Sequence, residues 1–405
     1  MEEPEIFKYS FGDALGDHKI TFVCHITCFS ILLLTFVFID LFKSVNDINL
    51  CFYIKLKSMV CYLSKSYKEV NSAGSKAKMD IERIMEDLGF RNVGLRQALF
   101  SNAVIAYFYT LFSVLKGIFC LHKDDVLVLQ YPLKKYYSFI CNAAHWKGCK
   151  VITVIHDLGS FRRKRLTVEQ EIARLNHSDY VIAHNKKMKG WLENHGCKAL
   201  LGTLGIFDYL SSTMASAPEP SETFRVLYAG GLSLRKNAFL YEVGKYIHSS
   251  CRFSLYGNGF ELENAAGKEF FDYMGFVSSD DLIAGAQGDF GLVWDGASVS
   301  SCTGDFGEYL QYNNPHKTSL YIRCNLPVII WNKAALADFV RENGIGLCLD
   351  SLEDLDATLA ALTPEQYQTM KRNVVAVSDR LAGGGFFTQA VMDAIETLKK
   401  ERNDC

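Results

Sequence analysis

From residue 59 onward, short continuous apolar runs alternate with longer stretches of helical period. MVCYLS (59–64), DVLVLQYP (125–132), KVITVIHD (150–157) and DYVIAHN (179–185) are short, apolar and without strict alternation. Such runs read as parallel strands buried on both faces. KMDIERIMEDLGF, apolar at 79, 81, 84, 85 and 88, has helical spacing and Gly89 as its stop. The glycine-bearing segment 70–78 before it reads as a turn. Residues 101–121 form a long apolar helix, either a cover for the sheet or a membrane-facing element. GTLGIFDYL closes this half.

SSTMASAPEPSE (211–222) interrupts the pattern with small residues and two prolines and reads as a linker. The alternation then restarts in FRVLYAGG (224–231), RFSLYGNG (252–259), FDYMGFV (271–277), DFGLVWDG (289–296), LPVIIWN (326–332) and GIGLCLD (344–350). Two successive sets of βα units predict an α/β chain with two doubly wound domains, over 59–212 and 223–361 with a linker at 213–222. The tail 362–405 reads as helical apart from AGGGFF (382–387).

Upstream, ITFVCHITCFSILLLTFVFI (20–39) has about the length needed to cross a bilayer. Lys43, Lys55 and Lys57 behind it would leave the remainder in the cytoplasm. Residues 1–58 read as an extension ahead of a start at Met59, as a membrane anchor, or as a packed helix.

Composition narrows the function classes. The chain is 49% apolar and 22% charged with a formal charge of −2, which argues against a broad basic face for nucleic acid. Its thirteen cysteines are scattered without a CxxC pair, which disfavours a zinc site or disulfide framework and suits a reducing compartment.

In doubly wound sheets, ligands sit beyond the carboxyl ends of the strands. Three strand ends in the second half suit an anion. AGGLSLRKN (229–237) joins glycines to Arg235 and Lys236, and YGNG (256–259) is a second glycine turn. In QYNNPHKTSL (311–320), Asn314 reads as an N-cap and Pro315 as the first helical residue, which puts His316 and Lys317 in the first turn. A lysine opposes the helix dipole there unless an anion shares the place. The alternative is an ordinary capped helix whose lysine points into solvent. No Walker loop or GxGxxG occurs, so NTP hydrolysis and dinucleotide redox chemistry lose ground. Two α/β domains with phosphate chemistry in the second suggest a sugar nucleotide held between them.

NSAGSKA (71–77), LQYPLK (129–134), VIHDLGSFR (154–162), LNHSDYVIAHNKKM (175–188), LYAGGLSLRKN (227–237), MGFVSSDDL (274–282), GEYLQYNNPHKTSLYI (307–322) and GIGLCLDSLEDL (344–355) carry a resemblance. Over 59 to the C-terminus the chain resembles the GT-B glycosyltransferases, within them the bacterial β-1,6-galactofuranosyltransferases and the streptococcal adhesin glucosyltransferases. The resemblance implies two Rossmann-like domains facing across a cleft. It also implies transfer of a hexose from a UDP-sugar donor, with no bound metal or other cofactor and with inversion at the anomeric carbon. Arg235, Lys236, Asn314, His316 and Lys317 would hold the diphosphate, with Asn313 beside them. Phe276 and Val277 would contact uracil, and Asn71 and Gly74 would close from the other domain. Asp157 is the first candidate base, with His156 beside it, and Glu308 would bind sugar hydroxyls. His177 and His184 read as structural, and the run Arg162–Arg165 as a solvated loop or a contact for a lipid-linked diphosphate.

The expected partners are a UDP-sugar and a glycan or lipid-linked acceptor, met in the cytoplasm or at the inner membrane surface, without nucleic acid. A homo-oligomer is compatible with this. A UDP-sugar epimerase or a non-catalytic nucleotide-binding subunit would use the same architecture.

Overall fold

The computed structural model describes residues 59–64, 66–67, 73–100, 102–133, 136–161, 164–216 and 223–403. The readings of residues 1–58, and of Asn71, Arg162 and Arg163, lie outside them.

The first half is built on β1 (Val60–Tyr62), α1 (Ala73–Asp87), β2 (Arg91–Asn92), α2 (Ala103–Cys120), β3 (Val126–Tyr131), α3 (Tyr137–Trp146), β4 (Lys150–Ile155), α4 (Val168–Leu175), β5 (Tyr180–Ala183), α5 (Lys186–Asn194) and β6 (Leu200–Thr203). Its six strands are parallel in the order β2-β1-β3-β4-β5-β6. The central strands are continuous apolar runs because helices cover both faces. One face packs on α2, α3 and α5 around Leu127, Leu129, Tyr137 and Val151. The other packs on α1 through Ile81, Ile84 and Met85.

The second half contains β7 (Phe224–Ala229), α6 (Leu234–Asn237), β8 (Cys251–Tyr256), β9 (Phe271–Gly275), α7 (Ser279–Gly285), β10 (Phe290–Val293), α8 (Gly304–Tyr309), α9 (His316–Arg323), β11 (Val328–Trp331), α10 (Ala337–Asn343) and β12 (Gly346–Leu349). Its sheet is again six parallel strands, ordered β9-β8-β7-β10-β11-β12. Two helices end the described chain. α11 (Pro364–Ala382) stays with this half, and α12 (Gly385–Asn403) returns to pack Phe387, Val391 and Ile395 against the first. The carboxylate of Asp208 receives the N–H groups of Phe386 and Phe387, which ties the end of the first half to the start of α12.

Each sheet reverses its strand order once. The chain lays β2 on one side of β1 and β3 on the other; it lays β8 on one side of β7 and β10 on the other. The crevices beyond β1/β3 and β7/β10 are therefore the topological switch points, where ligands of such sheets bind.

One element differs from its sequence expectation. The turn expected over 70–78 is helical from Ala73, so Gly74 lies inside α1 rather than in a strand-to-helix loop. A helical glycine costs about 1 kcal/mol relative to alanine, and burial of Ala77, Ile81, Ile84 and Met85 outweighs it.

Candidate active site

At the switch point of the second sheet, four elements bring their polar ends together. β7 contributes Tyr228, the segment after β10 contributes Asp295, α6 contributes Lys236 and Asn237, and the first turn of α9 contributes Lys317. Lys317 Nζ donates to Asp295 Oδ1 at 2.9 Å and to the Tyr228 hydroxyl at 2.7 Å. The same ammonium lies 4.1 Å from the Tyr228 ring centre. Lys236 Nζ reaches the same carboxylate oxygen at 3.5 Å. Asn237 Nδ2 donates to the Tyr228 hydroxyl.

Two ammonium groups thus share one carboxylate, which leaves a net positive charge at the strand ends. Burial pushes the Asp295 carboxyl up, but Lys317 and Lys236 more than offset it and hold it ionised. Burial lowers Lys317 to about 8, partly opposed by Asp295. Lys317 is therefore charged at neutral pH and close to losing that charge.

A glycine loop adjoins this cluster. Gly230 has φ 137° and Gly231 follows it; a Cβ at either would meet nothing within 4 Å. Gly257 (φ 138°) packs so closely that its Cβ would fall 1.8 Å from the Gly230 carbonyl oxygen. The two glycine turns anticipated from sequence therefore pack on each other and leave exposed backbone at 230–231. Arg235 lies over the Phe306 ring at 5.7 Å.

The QYNNPHKTSL stretch divides its work differently from the sequence expectation. Pro315 occupies the N-cap position and α9 begins at His316, so Asn314 is not the cap. The Asn314 side chain is already committed to the other half. Its Nδ2 donates to the carbonyls of His184 at 2.7 Å and Gly205 at 2.9 Å, and its Oδ1 accepts from Asn185 Nδ2 at 2.8 Å. Its backbone N–H donates to His184 Nδ1 at 3.0 Å. Asn314 is a buried clamp between the halves.

His316 is likewise not a cation. Burial, aided by nearby Lys76, lowers it to about 3, so the ring is neutral at pH 7. It stacks on Tyr209 at 4.8 Å. Its Nε2, like Asn313 Oδ1 and Asn237 Oδ1, is buried without a protein partner. Buried polar atoms are usually paired, so each of these three is an acceptor left over by the protein's own hydrogen bonds.

The remaining expectations are dispersed. Phe276 is exposed just beyond β9, and Val277 packs against the second core. β9 is the edge strand, about 10 Å from β7 at normal strand spacing. Glu308 is exposed near the end of α8. His184 is buried, held neutral at about 3 by burial, and bonded to Ile155 and Asn314, in keeping with a structural role. His177 pairs with Asn142 at the surface.

At the first switch point, His156 and Asp157 follow β4. Gln130 Nε2 donates to the Lys78 carbonyl at 3.2 Å and lies 3.5 Å from Glu82 Oε1. Glu82 Oε2 in turn accepts from the Ser64 hydroxyl at 2.5 Å. The carbonyl and carboxylate accept, so they orient the Gln130 amide with Oε1 toward His156 Nε2, 2.7 Å away. Neutral His156 must then carry its proton on Nε2, and Nδ1 is its basic nitrogen. His156 stacks on Phe207 at 5.3 Å, and Phe207 meets the His316 ring at 6.1 Å, so a row of rings joins the two strand-end regions.

Sequence reasoning missed Tyr228, Asp295, Glu82 and Gln130. Asp295 had a signal: an acidic residue directly after a buried strand. Glu82 lies on the helical period of α1 and had none.

Two doubly wound sheets, linked through Phe207, Asn314 and α12, define a GT-B fold. The chain belongs to the glucosyltransferase 3-like family: the family's N-terminal domain matches residues 60–206 and its C-terminal domain residues 226–394. It is 32% identical over 330 residues to beta-1,6-galactofuranosyltransferase WbbI of Escherichia coli (strain K12), covering 81% of this chain and 96% of that protein. It is 25% identical to glucosyltransferase 3 of Streptococcus gordonii, covering 79% and 93% respectively. A glycosyltransferase from Rickettsia africae has a similar fold, with TM-score 0.52 at 12% identity over 85% of this chain and 99% of that one.

Proposed function

We propose that this glycosyltransferase moves a hexose, galactofuranose or glucose, from a UDP-sugar to a glycan, glycolipid or glycoprotein acceptor of the bacterial surface. The observation that carries the donor reading is the pair of ammonium groups, Lys317 and Lys236, sharing Asp295 beside the exposed 230–231 backbone. One positive charge beyond neutrality, beside a glycine loop that a ligand can approach closely, suits a diphosphate. Protein cations rather than a metal would then meet the charge that develops on the leaving UDP.

Transfer with inversion needs one base on the acceptor side. The acceptor oxygen attacks the anomeric carbon as the bond to the UDP oxygen breaks. The acceptor proton passes to His156 Nδ1 or to Asp157, and UDP leaves with the bonding electrons. The tautomer imposed by Gln130 favours His156 within this pair. A UDP-sugar donor would put this work on the cytoplasmic side.

Calorimetric titration of the full chain with UDP, with and without EDTA, tests the donor reading. Micromolar binding unaffected by EDTA is expected. Folded protein that fails to bind UDP, or binds it only before EDTA is added, refutes it.

A further inference from the structure

The first half carries an apolar face that no other element among the described residues covers. On α2, Val104, Phe108, Leu115 and Phe119 are exposed, and their spacing of four, seven and four places them in one stripe. On α3, Phe139 and Trp146 are exposed and seven apart, again one stripe. Phe119 is 76% and Trp146 92% exposed, values that folding into a core does not explain.

The two helices run side by side in the same direction. Tyr107, near the start of α2, meets Tyr136 at the start of α3 with ring centres 6.1 Å apart. Lys147, directly after α3, donates to the carbonyls of Ile118, Phe119 and Leu121 at the end of α2, at 2.7, 3.1 and 2.8 Å. Trp146 and Phe119 therefore sit at the same end of the paired helices.

The charge along this segment is one-sided, although Asp179 from the following strand start pairs with His145 and Lys150. Between Asp87 and Asp157 the sequence has eight lysines and arginines and only two acids, Asp124 and Asp125. Both acids are engaged: Asp125 is buried against Arg91 at 3.1 Å, and Asp124 pairs with Arg402. Neither α2 nor α3 contains an acidic residue. Lysine is depleted at the centres of protein interfaces. Exposed aromatic residues among lysines without acids instead suit the interface of an anionic bilayer. No helix among the described residues is long and apolar enough to cross a membrane.

We propose that the α2/α3 face docks in the plane of an anionic lipid surface, with Phe119 and Trp146 inserted below the headgroups. The argument is independent of the donor site. Docking would hold the first half against a lipid-linked acceptor.

Trp146 supplies the probe, because Trp294 and Trp331 are buried and Trp191 is half-buried. The full chain is titrated with phosphatidylglycerol/phosphatidylethanolamine vesicles and with phosphatidylcholine vesicles. With the anionic vesicles, the emission is expected to shift to the blue and to be quenched by brominated acyl chains. Trp146→Phe should lose the quenching while still co-sedimenting. A Phe119→Ser/Trp146→Ser double variant, its fold checked by circular dichroism melting, should partition about a hundredfold less, roughly tenfold for each large side chain withdrawn from lipid.

Three results overturn the proposal. One is absence of binding to anionic vesicles. Another is binding without quenching of Trp146, or undiminished in the double variant, which would put the contact elsewhere, for instance at residues 20–39. The last is self-association in sedimentation velocity that the double variant abolishes, which would make the face an interface between copies.

Discussion

At the switch point of the second sheet, Lys317 and Lys236 converge on Asp295 and leave positive charge at the strand ends. Beside the switch point of the first, Ser64, Glu82, Gln130 and His156 form a hydrogen-bonded chain that orients one imidazole. Both crevices lie where a parallel sheet reverses its strand order. Topology therefore determines where chemistry can be placed, and the side chains at a few strand ends determine which chemistry it is. A surplus of cations suits a leaving diphosphate, and an oriented ring suits proton removal.

The most severe way to break this comparison is to remove the cation. Lys317→Ala is expected to lower transfer by about a hundred- to a thousandfold, the usual scale for losing one group that stabilises developing charge. UDP affinity measured by calorimetry should fall with it. Full activity and unchanged affinity would dismiss the diphosphate reading. Because Asp295 keeps Lys236, the variant is expected to fold, and a thermal melt checks this.

Asn314→Ala tests what joins the two crevices. The substitution removes three hydrogen bonds; the Gly205 carbonyl loses its partner, while the His184 carbonyl keeps the Gly205 N–H and Asn185 keeps the Tyr312 carbonyl. An unpaired buried group costs about 1–3 kcal/mol, so a loss of about 2 kcal/mol in urea unfolding is expected. A loss below about 1 kcal/mol would mean that Asn314 is not the clamp.

The first crevice is sharpened by Gln130→Leu, which removes the acceptor that fixes the His156 proton. The expectation is a ten- to hundredfold lower kcat with an unchanged donor KM. Long-range nitrogen–proton NMR should show His156 protonated on Nε2 in the parent and as a tautomer mixture in the variant. A parent already protonated on Nδ1 would exclude the proposed base.

The alternation of apolar runs made both sheets legible, since β3, β4, β7 and β8 are strands where continuous apolar runs stand. The site was legible only in part. Lys317 and Lys236 could be found because a cation at a helix start or beside glycines is locally anomalous. The role of Asn314 could not, because its partners lie about 110 to 130 positions away and nothing local distinguishes a clamp from a cap. The charge state of His316 was hidden for the same reason: it follows from burial against Tyr209 and Phe207, which only the tertiary fold supplies.

The mildest test concerns pH and separates the two crevices without changing either. Burial lowers Lys317 to about 8, below the ordinary lysine value of 10.5. Below pH 8 the ammonium form dominates and attracts the diphosphate; as pH rises through 8 the free protein loses that charge. UDP affinity should therefore decline between pH 7 and pH 9, by a few-fold rather than a hundredfold, because Lys236 and Arg235 remain to hold the anion. A bound diphosphate favours the charged lysine, so binding above pH 8 must take up protons, seen as a buffer-dependent heat in calorimetry. Lys317→Arg keeps its charge throughout this range and should flatten the decline. The dependence of kcat on His156 lies in a different group and should survive in that variant. If the decline in affinity also survives Lys317→Arg, the titrating group is not Lys317, and the contrast between a charged donor crevice and an oriented-base crevice loses its electrostatic half.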